Sequence, residues 1–370
     1  MGSGPSNAEP RVLQAMVTPS LSASNPAYAT LTEEVGALLN RVFQAPSSHR
    51  GLPVPGASRS GLEAVINSVV EPGDRVIVGV YGHFGELLCT LAQRHGAVVE
   101  RVDADWGQPV DPEAMAGAIR KHPPKLAAIV HADTSTGILQ PIDAIGAACR
   151  ETGALLLIDA VLSIGGCDVN VGTFNADAAV GGLQKCLGGP PGLALVTCSA
   201  RLGAAMAARK SKPHSAYLDL ARLSAASPER PTQMLFAAHE ALRIVMDEGL
   251  DERWRRHETA SRLLRAGLTA MGLERFGDPR HSVPMITLAK VPEGVDDAGV
   301  RQQLLEEHGI EIMAAFGPLR GRVWRIGTMG TNARLPSVLA MLSALEAVLA
   351  SRHFQLERGA AVDAATQISA

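Results

Sequence analysis

Cysteine is sparse and unpatterned in this chain. Cys89, Cys149, Cys167, Cys186 and Cys198 are odd in number and show no C-x-x-C or His-rich spacing. A zinc centre and a disulfide framework therefore have no basis, and the thiols read as reduced side chains in a cytoplasm. Blocks of like charge are missing too: thirty-four basic against thirty-seven acidic residues leave a formal charge of -3. That excludes nucleic acid or an anionic membrane as the main partner. No apolar run approaches the roughly 20 residues needed to span a bilayer. The opening MGSGPSNAEP has neither a basic n-region nor an apolar stretch, so no secretory leader is expected. Neither G-x-G-x-x-G nor a Walker lysine is present, which disfavours nucleotide binding. Lysine occurs only six times.

What remains is a composition of 46% hydrophobic and 19% charged residues over 370 positions, that of a chain that folds in water, with room for two domains. The segments PRVLQAM and LTEEVGALLNRVFQA carry apolar residues at helical spacing, and HRGLPVPGASRSG reads as a loop. From there helices and short apolar strands alternate. GLEAVINSVV, FGELLCTLAQRHG, DPEAMAGAIRKH and PIDAIGAACRETG are the helices; RVIVGV, VVERVDAD, KLAAIVHA, ALLLIDA, DAAVGG and GLALVTC are the strands. Strands apolar throughout and separated by helices belong to a parallel sheet covered on both faces. Beyond residue 233 two long helical patterns lead to VPMITLA, VRQQLLEEHG, IEIMAA, RVWRIGT and LPSVLAMLSALEAVLASR, a smaller α+β unit. The expected division is an N-terminal segment (1–20), a large α/β domain (21–245), a small C-terminal domain (246–356) and a polar tail (357–370).

In a parallel α/β sheet, ligands sit beyond the carboxyl ends of the strands, so the residues after each apolar run carry the search. Gly56-Ala57-Ser58-Arg59-Ser60-Gly61 places small residues and an arginine at a helix start, where free N–H groups attract phosphate. An ordinary N-cap with a glycine-rich turn would read the same way. Asp159 closes ALLLIDA, and a carboxylate after an apolar strand needs a cationic or donating partner unless it is a helix cap. Lys185, in GGLQKCLGGPPG, is the one lysine between glycine-flanked apolar strands. Desolvated there, its amine pKa falls and it becomes a nucleophile able to form a Schiff base; a lysine snorkelling from a loop is the plainer alternative. A phosphate cup, a buried Asp at a strand end and a lysine between strands together match the three handles of pyridoxal 5'-phosphate. Those handles are its phosphate, its ring nitrogen and its aldehyde.

These residues also bring a family into view. The ordered motifs GSGPSNAEPRVLQAM, GASRSGLEAV, YGHFG, HADTSTGILQPI, DAVLSIGG, GLQKCLGGPPG and FGPLRGRVWRIGTMG cover most of the chain. Through them the sequence resembles the class V branch of fold type I pyridoxal-phosphate-dependent aminotransferases, and within it the alanine-glyoxylate, serine-pyruvate and ureidoglycine-glyoxylate enzymes. The resemblance implies that Lys185 and Asp159 are catalytic, Lys185 through a Schiff base with the cofactor and Asp159 at the pyridine nitrogen. It implies that Ser58, Arg59, Ser60 and Gln184 belong to the cofactor cup, with Ser58, Arg59 and Gln184 on the phosphate. By the same comparison Phe84 stacks on the ring, Thr134 meets the ring hydroxyl and Val161 packs on the opposite face. Arg325 is implied as the clamp on the substrate carboxylate, and no metal is expected. Periodicity alone makes Phe84 a core residue.

The resemblance further implies a homodimer whose active sites borrow residues from the neighbouring subunit. Here the sequence departs from the pattern. The segment SAYLDLARLSAASPERPTQMLF is shortened before its helix, and Ala226 and Glu229 fall near the places of the tyrosine and threonine that relatives send to the partner's cofactor phosphate. The early glutamine of ureidoglycine enzymes is missing from SLSASNPAY, and Ala216 replaces their asparagine. The expected activity is amino transfer between a small or modified amino acid and a 2-oxo acid. The alternative is a lyase or decarboxylative deaminase acting on an S-conjugated cysteine in specialised bacterial metabolism.

Overall fold

The computed structural model describes residues 1–225 and 230–369. Ala226 and Glu229 lie outside the described residues. In chain order the helices are α1 (Pro10–Ala15), α2 (Pro26–Val42), α3 (Ser58–Val69), α4 (His83–Arg94), α5 (Pro112–Lys121), α6 (Asp143–Thr152), α7 (Ala200–Ala207), α8 (Leu220–Leu223), α9 (Thr232–Glu248), α10 (Leu250–Ala270), α11 (Asp297–His308), α12 (Leu335–Ser351) and α13 (Ala360–Ser369). The strands are β1 (Arg50–Pro55), β2 (Arg75–Val80), β3 (Val98–Asp103), β4 (Leu126–Val130), β5 (Ala132–Asp133), β6 (Ile138–Leu139), β7 (Leu155–Asp159), β8 (Ala178–Gly182), β9 (Leu193–Cys198), β10 (Ile286–Lys290), β11 (Met313–Ala314) and β12 (Val323–Gly327).

Local signals in the sequence set many of these boundaries. Asp111 and Asp296 cap α5 and α11 by accepting from the N–H groups of Glu113 and Ala298, and Pro112 occupies the first helical position of α5. Strands β4, β7, β8 and β9 are buried at every position, as expected of strands covered on both faces.

The main sheet has seven strands in the order β1-β9-β8-β7-β4-β2-β3. β3, β2, β4, β7 and β8 pair in parallel, while β9 is antiparallel to β8 and β1 is antiparallel to β9. The result is a mixed, mostly parallel sheet flanked by helices, the α/β architecture expected for fold type I. A second sheet, β10-β12-β11, is antiparallel. Buried residues of the first core run to Val245 and those of the second begin at Ala260, on either side of the chain bend at Gly249. No helix among the described residues is long and apolar enough to cross a membrane.

Three segments depart from the sequence-based expectation. HRGLPVPGASRSG is not a loop throughout, because Arg50–Pro55 forms β1. Pro53 and Pro55 read as breakers, yet β1 pairs only with β9, and an edge strand can place a proline where no ladder donor is needed. Glycine makes this edge possible: a Cβ on Gly36 of α2 would lie 2.6 Å from the Gly51 carbonyl. IEIMAA contributes only Met313–Ala314 as strand. The stretch from Glu357, expected to be a polar tail, folds into α13, with Ala361 and Ala365 fully buried in the second core. Its polar residues masked a small-residue stripe that packs on α10, where Gly267 leaves room for the Ala361 carbonyl.

This docking predicts that Ala361→Asp, which buries an unpaired carboxylate, lowers stability by about 3 kcal/mol. Urea denaturation would check it. An unchanged midpoint would mean that α13 contributes nothing to the second core.

Candidate active site

The first sheet delivers its functional side chains at the carboxyl ends of its strands. Asp159 is the last residue of β7, Thr134 follows β4 in the short β5–β6 hairpin, and Phe84 opens α4 just after β2. Gln184 and Lys185 lie in the connection between β8 and β9. Helix α3 begins at Ser58, three residues before the sequence pattern suggested, which puts Ser58 and Arg59 in its first turn. Arg325 comes from the other sheet, at the middle of β12.

These residues meet in one cavity of about 300 Å³. Ser58, Arg59, Phe84, Thr134, Asp159, Val161, Gln184, Lys185 and Arg325 all line it. Ser60 does not. Both its hydroxyl and its N–H donate to the Ala57 carbonyl, at 2.8 and 2.7 Å, closing the turn that starts α3. Its expected place in the cup is therefore corrected: the residue shapes the turn behind the cavity.

Lys185 is 8% exposed. Burial, with the positive charge of Arg325 assisting, pushes its amine down from the ordinary 10.5 to about 8, while Asp159 and Asp133 pull the other way. The amine donates to the Ser3 carbonyl. Its own carbonyl accepts from the Ser6 hydroxyl at 2.6 Å, and the neighbouring Cys186 carbonyl accepts from the buried Arg253. The backbone of Lys185 is thus held from two sides.

Asp159 is buried, and burial raises its carboxyl to about 7 despite a hydrogen bond from the Val161 N–H at 3.0 Å. Arg325 is 4% exposed and has no carboxylate partner among the described residues. It donates to the Ala314 carbonyl at 2.8 Å and the Thr134 carbonyl at 3.3 Å, and its guanidinium lies 4.3 Å over the Phe316 ring. Burial lowers its pKa to about 10. Phe84 meets Phe316 edge-to-face, and Phe316 stacks on His83 at 4.5 Å.

Other residues in or beside the cavity escaped the sequence reading. Gly4 and Pro5 line it, and a Cβ on Gly4 would run into the Lys185 side chain. Gly4 also has φ +109°, a conformation that favours glycine. Asp133 is fully buried, accepting from the Ser135 hydroxyl and N–H at 2.5 and 2.6 Å, and burial raises its carboxyl. The rule of inspecting residues beyond each apolar strand, applied to KLAAIVHAD, would have found Asp133. No sequence signal would have laid the N-terminal segment on Lys185.

The donor set fits pyridoxal 5'-phosphate. The N-terminus of α3 has no side-chain cap among the described residues, so the Ser58 and Arg59 N–H groups of its first turn are open to a phosphate. A Cβ on Gly182 would strike Ser58 Oγ and the Gln184 side chain, so the cup stays open only with glycine there. The Gln184 amide donates to Ser58 Oγ at 2.6 Å, while its buried Oε1 has no partner among the described residues. Asp159, buried without an ion-pair partner among the described residues, suits a protonated pyridine nitrogen, and Lys185 supplies a desolvated amine.

Fold and site together define a pyridoxal-phosphate-dependent transferase of fold type I. The pattern of the aminotransferase class-V family matches residues 3–319, and the chain belongs to that family. It is 41% identical to an (S)-ureidoglycine–glyoxylate transaminase of Bacillus subtilis over 100% of this chain and 94% of that protein. It is 34% identical to an alanine–glyoxylate aminotransferase of Drosophila melanogaster, over 95% of this chain and 92% of that one. Among solved structures, the ureidoglycine-glyoxylate aminotransferase from Bacillus subtilis superimposes with a TM-score of 0.96 at 42% identity, covering 100% of this chain and 97% of that one. The pyridoxamine-pyruvate aminotransferase from Mesorhizobium loti gives 0.93 at 30% identity, with 100% and 96% covered. The protein is a pyridoxal-phosphate-dependent aminotransferase that moves an amino group between a small or modified amino acid and a 2-oxo acid. The elimination and decarboxylation readings gain no support from these relatives.

The burial of Lys185 has a measurable consequence without cofactor. Its folded-state pKa lies below its unfolded value, so the unfolded chain binds the extra proton between about pH 8 and 10.5. The ammonium therefore costs the cofactor-free protein stability below pH 8, and the cost fades as pH rises towards 10.5. The drop corresponds to roughly 3 kcal/mol. Cofactor-free Lys185→Met is expected to melt above cofactor-free wild type at pH 7, with the gap narrowing by pH 10. A gap independent of pH would refute the desolvation of this amine.

Proposed function

We propose that the residues meeting in the cavity divide the work as follows. Ser58, Gln184, the N–H groups of Ser58 and Arg59 at the start of α3 and the Arg59 guanidinium would hold the cofactor phosphate. Asp159 holds the proton on the pyridine nitrogen, Phe84 and Val161 cover the two faces of the ring, and Thr134 lies at its hydroxyl edge. Lys185 would hold the cofactor at its aldehyde, and its free amine would move the proton at the substrate α-carbon. When bound, pyridoxal phosphate supplies an electron sink for bonds broken at that carbon. Arg325 takes the substrate carboxylate as a bidentate pair, and the Phe316 ring beneath it fixes the guanidinium plane.

The carrying observation for the substrate class is the cavity itself. Its volume of about 300 Å³ is at the low end for ligand sites and has to house the cofactor too. Once the cofactor groups are assigned, Arg325 is the polar side chain left for substrate, and the remaining lining includes Gly4, Pro5, Leu87, Met313 and Phe316. A short apolar side chain suits that lining; a ureido group would find few partners in it. The supported reading is a small aliphatic amino acid such as alanine as donor, with glyoxylate, the acceptor in the names of two relatives, as the oxo acid. The chain is read as a homodimer in the cytoplasm. The family's shared sites and the single cation at the phosphate cup support the first, and five free thiols support the second.

Borohydride reduction of the holoenzyme should fix the cofactor to the peptide containing Lys185, and Lys185→Ala should show no fixation. Label on another lysine would overturn the assignment. With L-alanine alone the enzyme should release stoichiometric pyruvate in one half-turnover, and a ureido-bearing donor should react more slowly. The reverse order would overturn the donor class, and a monomer in sedimentation equilibrium the oligomeric state.

The carboxylate clamp is tested separately. Arg325→Gln is expected to weaken kcat/KM for both donor and acceptor by roughly 10- to 100-fold, the worth of a charge-assisted pair. The cofactor's absorbance should stay unchanged. A selective loss with only one substrate would show that the two bind differently.

A further inference from the structure

A second cavity, of about 450 Å³, lies between the tip of the β5–β6 hairpin and the second core. Gly137 of the hairpin forms one wall, with the end of α10 and strand β10 opposite. It shares no lining residue with the catalytic cavity.

Its chemistry is cationic and unsatisfied. Arg265 and Arg275 both line it, and neither forms an ion pair with a carboxylate among the described residues. Arg265 spends one N–H on the Val283 carbonyl at 2.6 Å, and its buried Nε has no partner among the described residues. Burial and the like charge of Arg275 lower the Arg265 pKa to about 10, with Glu258 opposing weakly. Ser282 and Thr287 also line the cavity, their buried hydroxyls have no partner among the described residues, and Thr287 is 3% exposed. The one carboxylate in the lining, Glu274, is taken up by Lys290 at 2.7 Å. A half-buried Arg265, with the solvent-exposed Arg275 and two orphaned hydroxyls around the same cavity, is short of an anion: unpaired buried donors are costly, and an oxyanion among these side chains would supply acceptors. Phe276, Leu273 and Leu288 supply apolar wall, which favours an anion with a carbon body over bare phosphate.

We propose that this cavity binds a small organic acid, its carboxylate held between Arg265 and Arg275 with the Ser282 and Thr287 hydroxyls donating to it. The site is separate from the substrate clamp on Arg325. One of its walls is the hairpin that carries Thr134 to the catalytic cavity.

The test is calorimetric titration of succinate into the holoenzyme carrying Arg325→Gln, so that the catalytic cavity no longer clamps carboxylates. Saturable binding is expected. Adding Arg275→Gln, at an exposed position where the fold tolerates change, should weaken it at least about tenfold, as loss of a charge-assisted pair would. A Tm that climbs with succinate in the Arg325→Gln protein, and not in the double variant, would support the same conclusion. Three results would overturn it: no saturable succinate binding, an affinity indifferent to Arg275→Gln, or tighter binding of inorganic phosphate than of succinate.

Discussion

The organising constraint of this molecule is the burial of charge that the chain does not itself neutralise. An amine, a carboxylate and a guanidinium converge on one cavity, and water is largely removed from each: Lys185, Asp159 and Arg325 are all under 9% exposed. Desolvation shifts all three towards neutrality, the amine and guanidinium downward and the carboxyl upward. A fold accepts that cost when a bound molecule returns it, since each group then finds a partner in a low-dielectric site where the pairing is strong. The phosphate, pyridinium and aldehyde of the cofactor, with the carboxylate of a substrate, are the complementary set.

Holding such groups apart from one another requires backbone that cannot relax. The connection carrying Gln184 and Lys185 is gripped by the N-terminal segment, through Ser6 to the carbonyls of both residues and Glu9 to the Gly188 carbonyl. Glycine at position 4 is part of this arrangement, because any side chain there would displace the lysine. The first nine residues thus act as a strap on the catalytic connection, which explains why a stretch without regular structure is ordered against the core.

Much of this was legible in the sequence because the parallel strands are short, wholly apolar and separated by capped helices. Reading the residue after each strand found Asp159, and the setting of a rare lysine found Lys185. The glycine-rich helix start pointed to Ser58 and Arg59, and both line the same cavity. Features that depend on distant contacts were not legible. β1 hid behind two prolines because edge position, unlike apolar pattern, is a property of the assembled sheet. α13 hid because Ala361 and Ala365 bury without being strongly hydrophobic, and their partner is Gly267, almost a hundred positions earlier. Ser60 was misplaced because its hydroxyl is consumed by the turn, a local bond that composition does not reveal.

The division of labour between the two cores has a further physical meaning. Every group assigned to the cofactor comes from the first sheet or the helices on it, whereas Arg325, Met313 and Phe316 come from the second. On that assignment one layer would position the cofactor, and the reach of Arg325 would depend on how the second core sits against it. The Asp278 N–H bound to the Gly107 carbonyl and Arg253 bound to the Cys186 carbonyl make part of that seating, and three polar contacts make the part nearest the site: the Val283 N–H donates to the Gly137 carbonyl at 3.0 Å, Ile138 bridges to Ser282, and Arg325 donates to the Thr134 carbonyl. All three engage the same β5–β6 hairpin. The same short hairpin thus meets the catalytic cavity at Thr134 and the arginine-lined cavity at Gly137, so the backbone that receives the Arg325 guanidinium is also the backbone that walls the second cavity.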